Sequence, residues 1–363
     1  MKKSLIALAV AGAVSAPAFA ATSNVDVYGV LNIGVFSIDS DTGTEDRQLT
    51  LASQNSRIGF KGAEDLGGGL AAIWQIESTV FLDESGGPFA TRNTFVGLKG
   101  GFGSVLLGRH DTPVKLLRSK VDNFGDTLAD SRNLLGANAV SGTSSYDLRP
   151  NNTVVYISPN LSGLTLMAAY TADHGVSGST SATFPSCVAG ADCNDRDGYS
   201  VSADYANGPL MLGLGYERHN TLINATNDEI DRSIWRAVAG FNIADFKLGA
   251  LYERASGDAA LASDDRNGWG LFANYALGNV VLKANYLTVG DYEGVSDSGA
   301  KQYTVGVDYN LSKRTTASLF YAQIKNDTNA GFDLGRAQGV SDFTTVADGA
   351  DPSTFGVGLR HAF

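Results

Sequence analysis

The sequence is poor in the residues from which reactive centres are usually built. Its 363 residues include two cysteines, four histidines and eight prolines, and only 18% of the chain is charged. His110, His174, His219 and His361 fall in expected loops or strand ends, and no Gly-x-Ser-x-Gly nucleophile motif accompanies them. Gly67-Gly68-Gly69 lacks the lysine of a phosphate-binding loop and reads as a turn. Asp39-Ser40-Asp41-Thr42-Gly43 begins like a calcium loop but lacks the later glycine and glutamate, so it reads as a solvated acidic loop. No catalytic constellation, cofactor site or metal site is expected. Positive charge is scarce as well: 27 Lys and Arg stand against 38 Asp and Glu, a net charge of −11. That balance excludes the basic stripe of a nucleic-acid binder.

Long apolar runs are missing except at the N-terminus, which excludes a helical membrane protein. Lys2 and Lys3 precede an apolar stretch from Leu5 to Val14, followed by Ala18-Phe19-Ala20. This is the layout of a signal peptide over residues 1–20 with a small-residue cleavage site. Its apolar core falls well short of the ~20 residues that a spanning helix needs. The chain is expected to leave the cytoplasm, with residues 21–363 forming the mature protein.

What the sequence has in plenty is glycine and alternation. Its 43 glycines are about 12% of the chain, against the ~7% of ordinary globular proteins. Tyr199, Val201, Ala203 and Tyr205 alternate with Ser200, Ser202, Asp204 and Ala206. Trp269, Leu271, Ala273 and Tyr275 alternate with Gly270, Phe272 and Asn274. Phe355, Val357, Leu359, His361 and Phe363 alternate with Gly356, Gly358, Arg360 and Ala362. One apolar face and one small or polar face, about ten residues at a time, is the pattern of a membrane β-barrel. Seven short connections alternate with eight long ones (39–53, 81–91, 110–151, 173–197, 220–230, 256–266, 291–299 and 326–352). The expected fold is therefore all-β: a sixteen-stranded antiparallel transmembrane barrel with both termini on the short-turn side. Tyr170, Tyr216, Tyr252 and Tyr286 fall near the long-loop ends and Tyr205, Tyr275 and Tyr309 near the short turns, as two interfacial girdles would require.

Barrels of this size hold an aqueous channel, so charges on the inner face matter most. Arg57 and Lys61 share a strand face with Gly59, opposite Ile58 and Phe60. Arg92 opens a strand, and Arg149 stands where the chain re-enters the barrel. The longest loop, 110–151, carries Asp122, Asp126 and Asp130 at four-residue intervals, a spacing that places them on one face of a short helix. Folded inward, this third loop would set its acids against the wall cations and create a transverse field. Cys187 and Cys193 lie in the loop 173–197; a disulfide is the simplest reading, with free thiols and a metal ligand pair as alternatives.

These segments resemble a known family. Asp26-Val27-Tyr28-Gly29, Ser56-Arg57-Ile58-Gly59-Phe60-Lys61-Gly62, Glu64-Asp65-Leu66-Gly67-Gly68-Gly69-Leu70 and Val96-Gly97-Leu98-Lys99-Gly100 are similar to the first strands of the Gram-negative general porins. Gly101-Phe102-Gly103, Leu107-Gly108-Arg109 and the terminal Phe363 continue the likeness, which is to the beta-proteobacterial type. The resemblance implies a homotrimeric outer-membrane channel for passive diffusion of small hydrophilic solutes and ions. It implies a third loop that constricts the pore, constriction arginines at Arg57, Arg92 and Arg149, and an assembly-machinery signal at Phe363. Outer-membrane lipid and lipopolysaccharide would surround it. The segment Asp122–Asp130 lacks the family's commonest Pro-Glu-Phe-Gly pattern. A substrate-selective porin would show a ladder of lumen aromatics, of which Phe272 is an isolated case, and an adhesion barrel would show no conductance.

Overall fold

The structure, a computed structural model, describes residues 24–41, 47–136, 146–172, 197–220, 231–257, 265–335 and 346–363. The expected signal peptide, Cys187 and Cys193 lie outside the described residues. The first strands are β1 (Asn24–Asp39), β2 (Gln48–Ser53), β3 (Arg57–Gly67), β4 (Leu70–Thr79), β5 (Thr94–Gly100) and β6 (Gly103–Arg109). After a long inward excursion come β7 (Thr153–Ile157), β8 (Leu164–Thr171), β9 (Gly198–Asn207), β10 (Leu210–His219), β11 (Arg232–Ile243) and β12 (Phe246–Gly257). The sheet ends with β13 (Arg266–Leu277), β14 (Val280–Val289), β15 (Ala300–Asn310), β16 (Thr315–Asn326) and β17 (Ser353–Ala362). From β3 onward each strand pairs antiparallel with the next. The ring closes where β1 meets β17, from Val30 opposite Ala362 to Asp39 opposite Ser353.

The barrel has the expected sixteen staves, and one of them is broken. Residues 39–53, expected as a loop, contain β2, which pairs with the far half of β1 while β3 pairs with the near half. Leu49 and Leu51 project outward and remain exposed, so this segment carries the same alternation as the strands proper. The break at 54–56 is stitched by side chains: the Asn32 N–H donates to Ser56 Oγ (2.8 Å), and Ser56 Oγ donates to the Asn32 carbonyl (2.9 Å). Elsewhere the expected short and long connections hold. Gly208, at the centre of the β9–β10 turn, has φ +56, a left-handed backbone that glycine adopts without a Cβ penalty.

The alternation resolves as expected into two environments. Leu212, Leu214, Leu248, Leu271, Val305 and Val357 are exposed on the outside, whereas Ser200, Glu217, Arg236, Glu253 and Gln302 are buried on the inside. Near the long-loop ends, Tyr199, Tyr216 and Trp235 meet in sequence as tilted ring pairs, as do Trp269, Tyr286 and Tyr303. Aromatic rings at that level sit where hydrocarbon meets headgroups. The closing residue, Phe363, exchanges backbone hydrogen bonds with Gly29 (both 3.1 Å). A side chain at Gly29 would collide with the Phe363 ring, so the seam is built around that glycine.

The largest buried apolar cluster lies inside the barrel. The excursion between β6 and β7 enters as helix α1 (Pro113–Arg118), started by Thr112, whose hydroxyl accepts from the Lys115 N–H (3.4 Å). Leu117, Val121, Phe124, Leu128, Leu134 and Leu135 pack against Val238, Leu251, Phe272, Leu287 and Phe320 of the wall. Phe272 is 2% exposed in this cluster. It therefore anchors the loop and is no rung of a sugar ladder.

Candidate functional site

Helix α1 and the turns after it lean on β8–β16, which leaves the gap of the channel against the first strands. Two buried arginines hold the loop there. Arg118 donates to Asp147 (2.6 Å), Asp130 (2.9 Å), Asp122 (3.2 Å) and Ser131 (3.0 Å). Arg236 of β11 donates to Asp147 (2.6 Å), to the Val114 carbonyl (3.0 Å) and to Glu253 of β12 (2.8 Å). Glu253 in turn accepts from the Gly136 N–H (2.6 Å). Burial opposes charge at Asp147, but Arg236 and Arg118 hold its carboxyl below the usual range. Burial and the neighbouring Asp130 raise Asp122. At Asp130, Arg132 and Arg118 override burial and lower it.

The helical face expected for Asp122, Asp126 and Asp130 is not formed. All three follow the helix: Asp126 has φ +62, and Asp130 caps the one-turn 3-10 helix Ser131–Asn133. The four-residue spacing has a different origin, since Asp122 and Asp130 both turn back onto Arg118. Their side chains are 1% exposed and face away from the lumen. Of the three, Asp126 is the one that meets a wall arginine, with Arg57 Nη1 2.8 Å from its Oδ2, while Asp122 accepts from Asn285 of β14 on the other wall (3.3 Å).

Of the wall cations Arg57, Lys61, Arg92 and Arg149, the structure brings Arg57, Arg92 and Arg149 together, with partners the sequence reading missed. Arg92 Nε lies 2.6 Å from Glu77, which also accepts from Tyr28 Oη (2.9 Å). Arg92 Nη1 donates to Asn55 Oδ1 (3.0 Å), next to the Arg57 donation to the Asn55 carbonyl (3.1 Å). Arg149 donates to Asn93 (2.8 Å) and lies 3.0 Å from Asp111. Asp111 is shared with Lys115 of the loop at 2.8 Å. Burial first, then the Arg149 guanidinium, pushes Arg92 down. Lys61 stays on the inner face over the Tyr28 ring (5.2 Å), yet four residues from Arg57 places it ~13 Å further toward the short turns. It lines the lumen below the narrowest level.

Glu77, Arg236 and Glu253 had a legible signal: each falls on the inward parity of a strand whose other face is apolar. Lys115 and Asp111 had none, because their placement depends on the path of the loop.

Arg118 makes a sharp test, since a buried ion network that loses one member leaves charges unpaired at a cost of about 3–5 kcal/mol. Arg118→Met should speed hydrogen exchange of loop amides over 120–135 by about 100-fold or more. Exchange in β11–β15 should be unchanged. Parent-like loop exchange in this variant would show that the network does not hold the loop.

Comparisons with known proteins agree with this geometry. A family model described as Gram-negative porin matches residues 7–329. Over the full length of both chains the sequence is 32% identical to outer membrane porin protein 32 of Delftia acidovorans. It is 30% identical to major outer membrane protein P.IB of Neisseria meningitidis serogroup B, again over 100% of both. Among solved structures, the anion-selective porin from Comamonas acidovorans superposes with a TM-score of 0.81 at 28% identity, covering 94% of this chain and all of that one.

Proposed function

This chain belongs to the Gram-negative porin family, whose members are outer-membrane channels for passive diffusion of small hydrophilic solutes and ions, and we propose that its constriction favours anions. One observation carries the reading: among the described residues, Arg57, Arg92, Lys115 and Arg149 gather at the gap, with Glu77, Asp111 and Asp126 to offset them. The loop adds a cation to the wall cluster, because three of its acids, Asp122, Asp130 and Asp147, are spent on Arg118. A surplus unit charge ~6 Å from a permeant ion is worth about 0.7 kcal/mol in water and about 3 kcal/mol at an effective dielectric constant of 20. Even the lower figure favours anions about threefold. The similar porin from Comamonas acidovorans is itself described as anion-selective, which supports the reading.

The acids that give the chain its net charge of −11 do not cancel this preference. Fields of exposed loop charges fade within a Debye length of ~8 Å at physiological salt, whereas the cluster sits at the gap itself.

We further propose a homotrimer whose copies meet on β1–β6. The aromatic belt near the long loops supports this, because it runs from Tyr170 of β8 to Phe355 of β17 and stops. At the same level, the outward positions of the first strands are Ile58, Ile76, Val96 and Leu107, which suit a protein neighbour better than a headgroup layer. Ile58→Lys with Ile76→Lys should therefore lower the proportion of trimer on mild-detergent gels while leaving the heat-modifiable monomer. Undiminished trimer would place the contact elsewhere.

Selectivity is checked by reversal potentials across a salt gradient in planar bilayers. The parent channel should favour chloride over potassium by about threefold or more. Burial pushes the Lys115 ammonium down to about 8, with Asp111 opposing that shift and Arg149 and Arg132 adding to it. Lys115 is therefore charged below pH 8 and neutral above it, so anion preference should fall between pH 7 and pH 9. Lys115→Met should have weaker anion preference at pH 7 and lose that pH dependence. Cation preference in the parent channel would refute the proposal.

A further inference from the structure

The first residues of the connection between β16 and β17, 327–335, do not stay outside the barrel, as those of a solvated surface loop would. They dive into the mouth and pack on the constriction loop. Phe332 and Leu334 are 0% and 1% exposed, in one cluster with Leu128, Leu134 and Leu135 of that loop and Leu287 of the wall. A backbone bond ties the two segments: the Gly335 N–H donates to the Leu128 carbonyl (3.1 Å). Arg266 of β13 spans both, with its guanidinium 5.5 Å from the Phe332 ring and Nη2 donating to the Leu134 carbonyl (3.0 Å).

The position of Phe332 is set from behind. Asn326, at the end of β16, donates through Nδ2 to the carbonyls of Phe332 (2.9 Å) and Ala350 (2.6 Å), and its Oδ1 accepts from the Phe332 N–H (3.0 Å). One amide thus fixes the entry and the return of the loop against each other. Phe332 then stands between a rigid clamp and the apolar side of Leu128–Leu135.

We propose that residues 330–335 form a wedge that holds the constriction loop in its open position, with Phe332 as the positioning residue. Arg118 and Arg236 fasten the start and middle of the constriction loop through polar contacts, and the apolar side chains of Leu128, Leu134 and Leu135 are covered in part by Phe332 and Leu334. In a water-filled lumen that apolar surface needs a cover. The wedge supplies it. Without it, the loop gains cover by shifting across the gap, which narrows the channel. Ion preference is set by a different group of residues and should not respond.

Single-channel recording in planar bilayers tests this. Phe332→Ser should raise the fraction of time spent in reduced-conductance states about tenfold, and steepen closure with voltage. Phe332→Leu, which keeps an apolar side chain at the same place, should restore parent behaviour. Asn326→Ala, which leaves the apolar contact intact but removes the clamp, should raise the same fraction about threefold. Heat-modifiable mobility on gels shows that each variant is folded, and Asn326→Ala keeps the test alive should Phe332→Ser fail to assemble. Reversal potentials should match the parent in all three, so a wrong selectivity reading and a wrong wedge give different results. Parent-like reduced-conductance fractions in both Phe332→Ser and Asn326→Ala would overturn the proposal.

Discussion

A backbone N–H or C=O left unpaired in hydrocarbon costs several kcal/mol, and a chain that crosses a membrane many times as strands meets that cost at every residue. Closing the sheet on itself removes it, which makes the β1–β17 seam the condition for everything else in this protein. Closure also reverses the usual order of a fold. Leu, Val and aromatic residues face outward, and the inner face is left to glycine, serine and charged residues. The hydrophobic core familiar from water-soluble domains survives only within the lumen, where the loop between β6 and β7 packs on one wall.

That internal packing decides the shape of the channel. Apolar contacts press the loop against β8–β16, and the Arg118 and Arg236 networks fix its depth and path. Such networks are poor sources of stability, because desolvating so many charges costs nearly as much as pairing them returns. What they contribute here is position: three aspartates from separate turns of the loop can satisfy one guanidinium in very few arrangements. The same network removes negative charge from the gap. A strongly acidic chain can in this way present a basic constriction.

Much of the fold was legible because a membrane barrel writes its geometry into a period of two. Parity alone assigned the lipid-facing and lumen-facing sides of β9, β13 and β17, and the long–short rhythm gave sixteen staves. The break between β2 and β3 was hidden, since its stitch depends on Ser56 reaching Asn32 across the sheet. For the site, Arg57, Arg92 and Arg149 could be read from inner-face parity and family likeness together. The fates of Asp122, Asp126 and Asp130 could not. Three identical residues at equal spacing have distinct roles that are set by Arg118 in the preceding helix and by the turn at Asp126. Phe332 lay in a segment whose composition resembles that of any external loop.

The central claim is that the narrowest part of this channel is an anion site made by the wall arginines and Lys115. Anomalous diffraction from crystals soaked in rubidium bromide locates both ions in one experiment. The account predicts bromide beside Arg92, Arg149 and Lys115, with rubidium confined to the acidic outer loops. Rubidium at Glu77 or Asp126, with no bromide among the arginines, would contradict it.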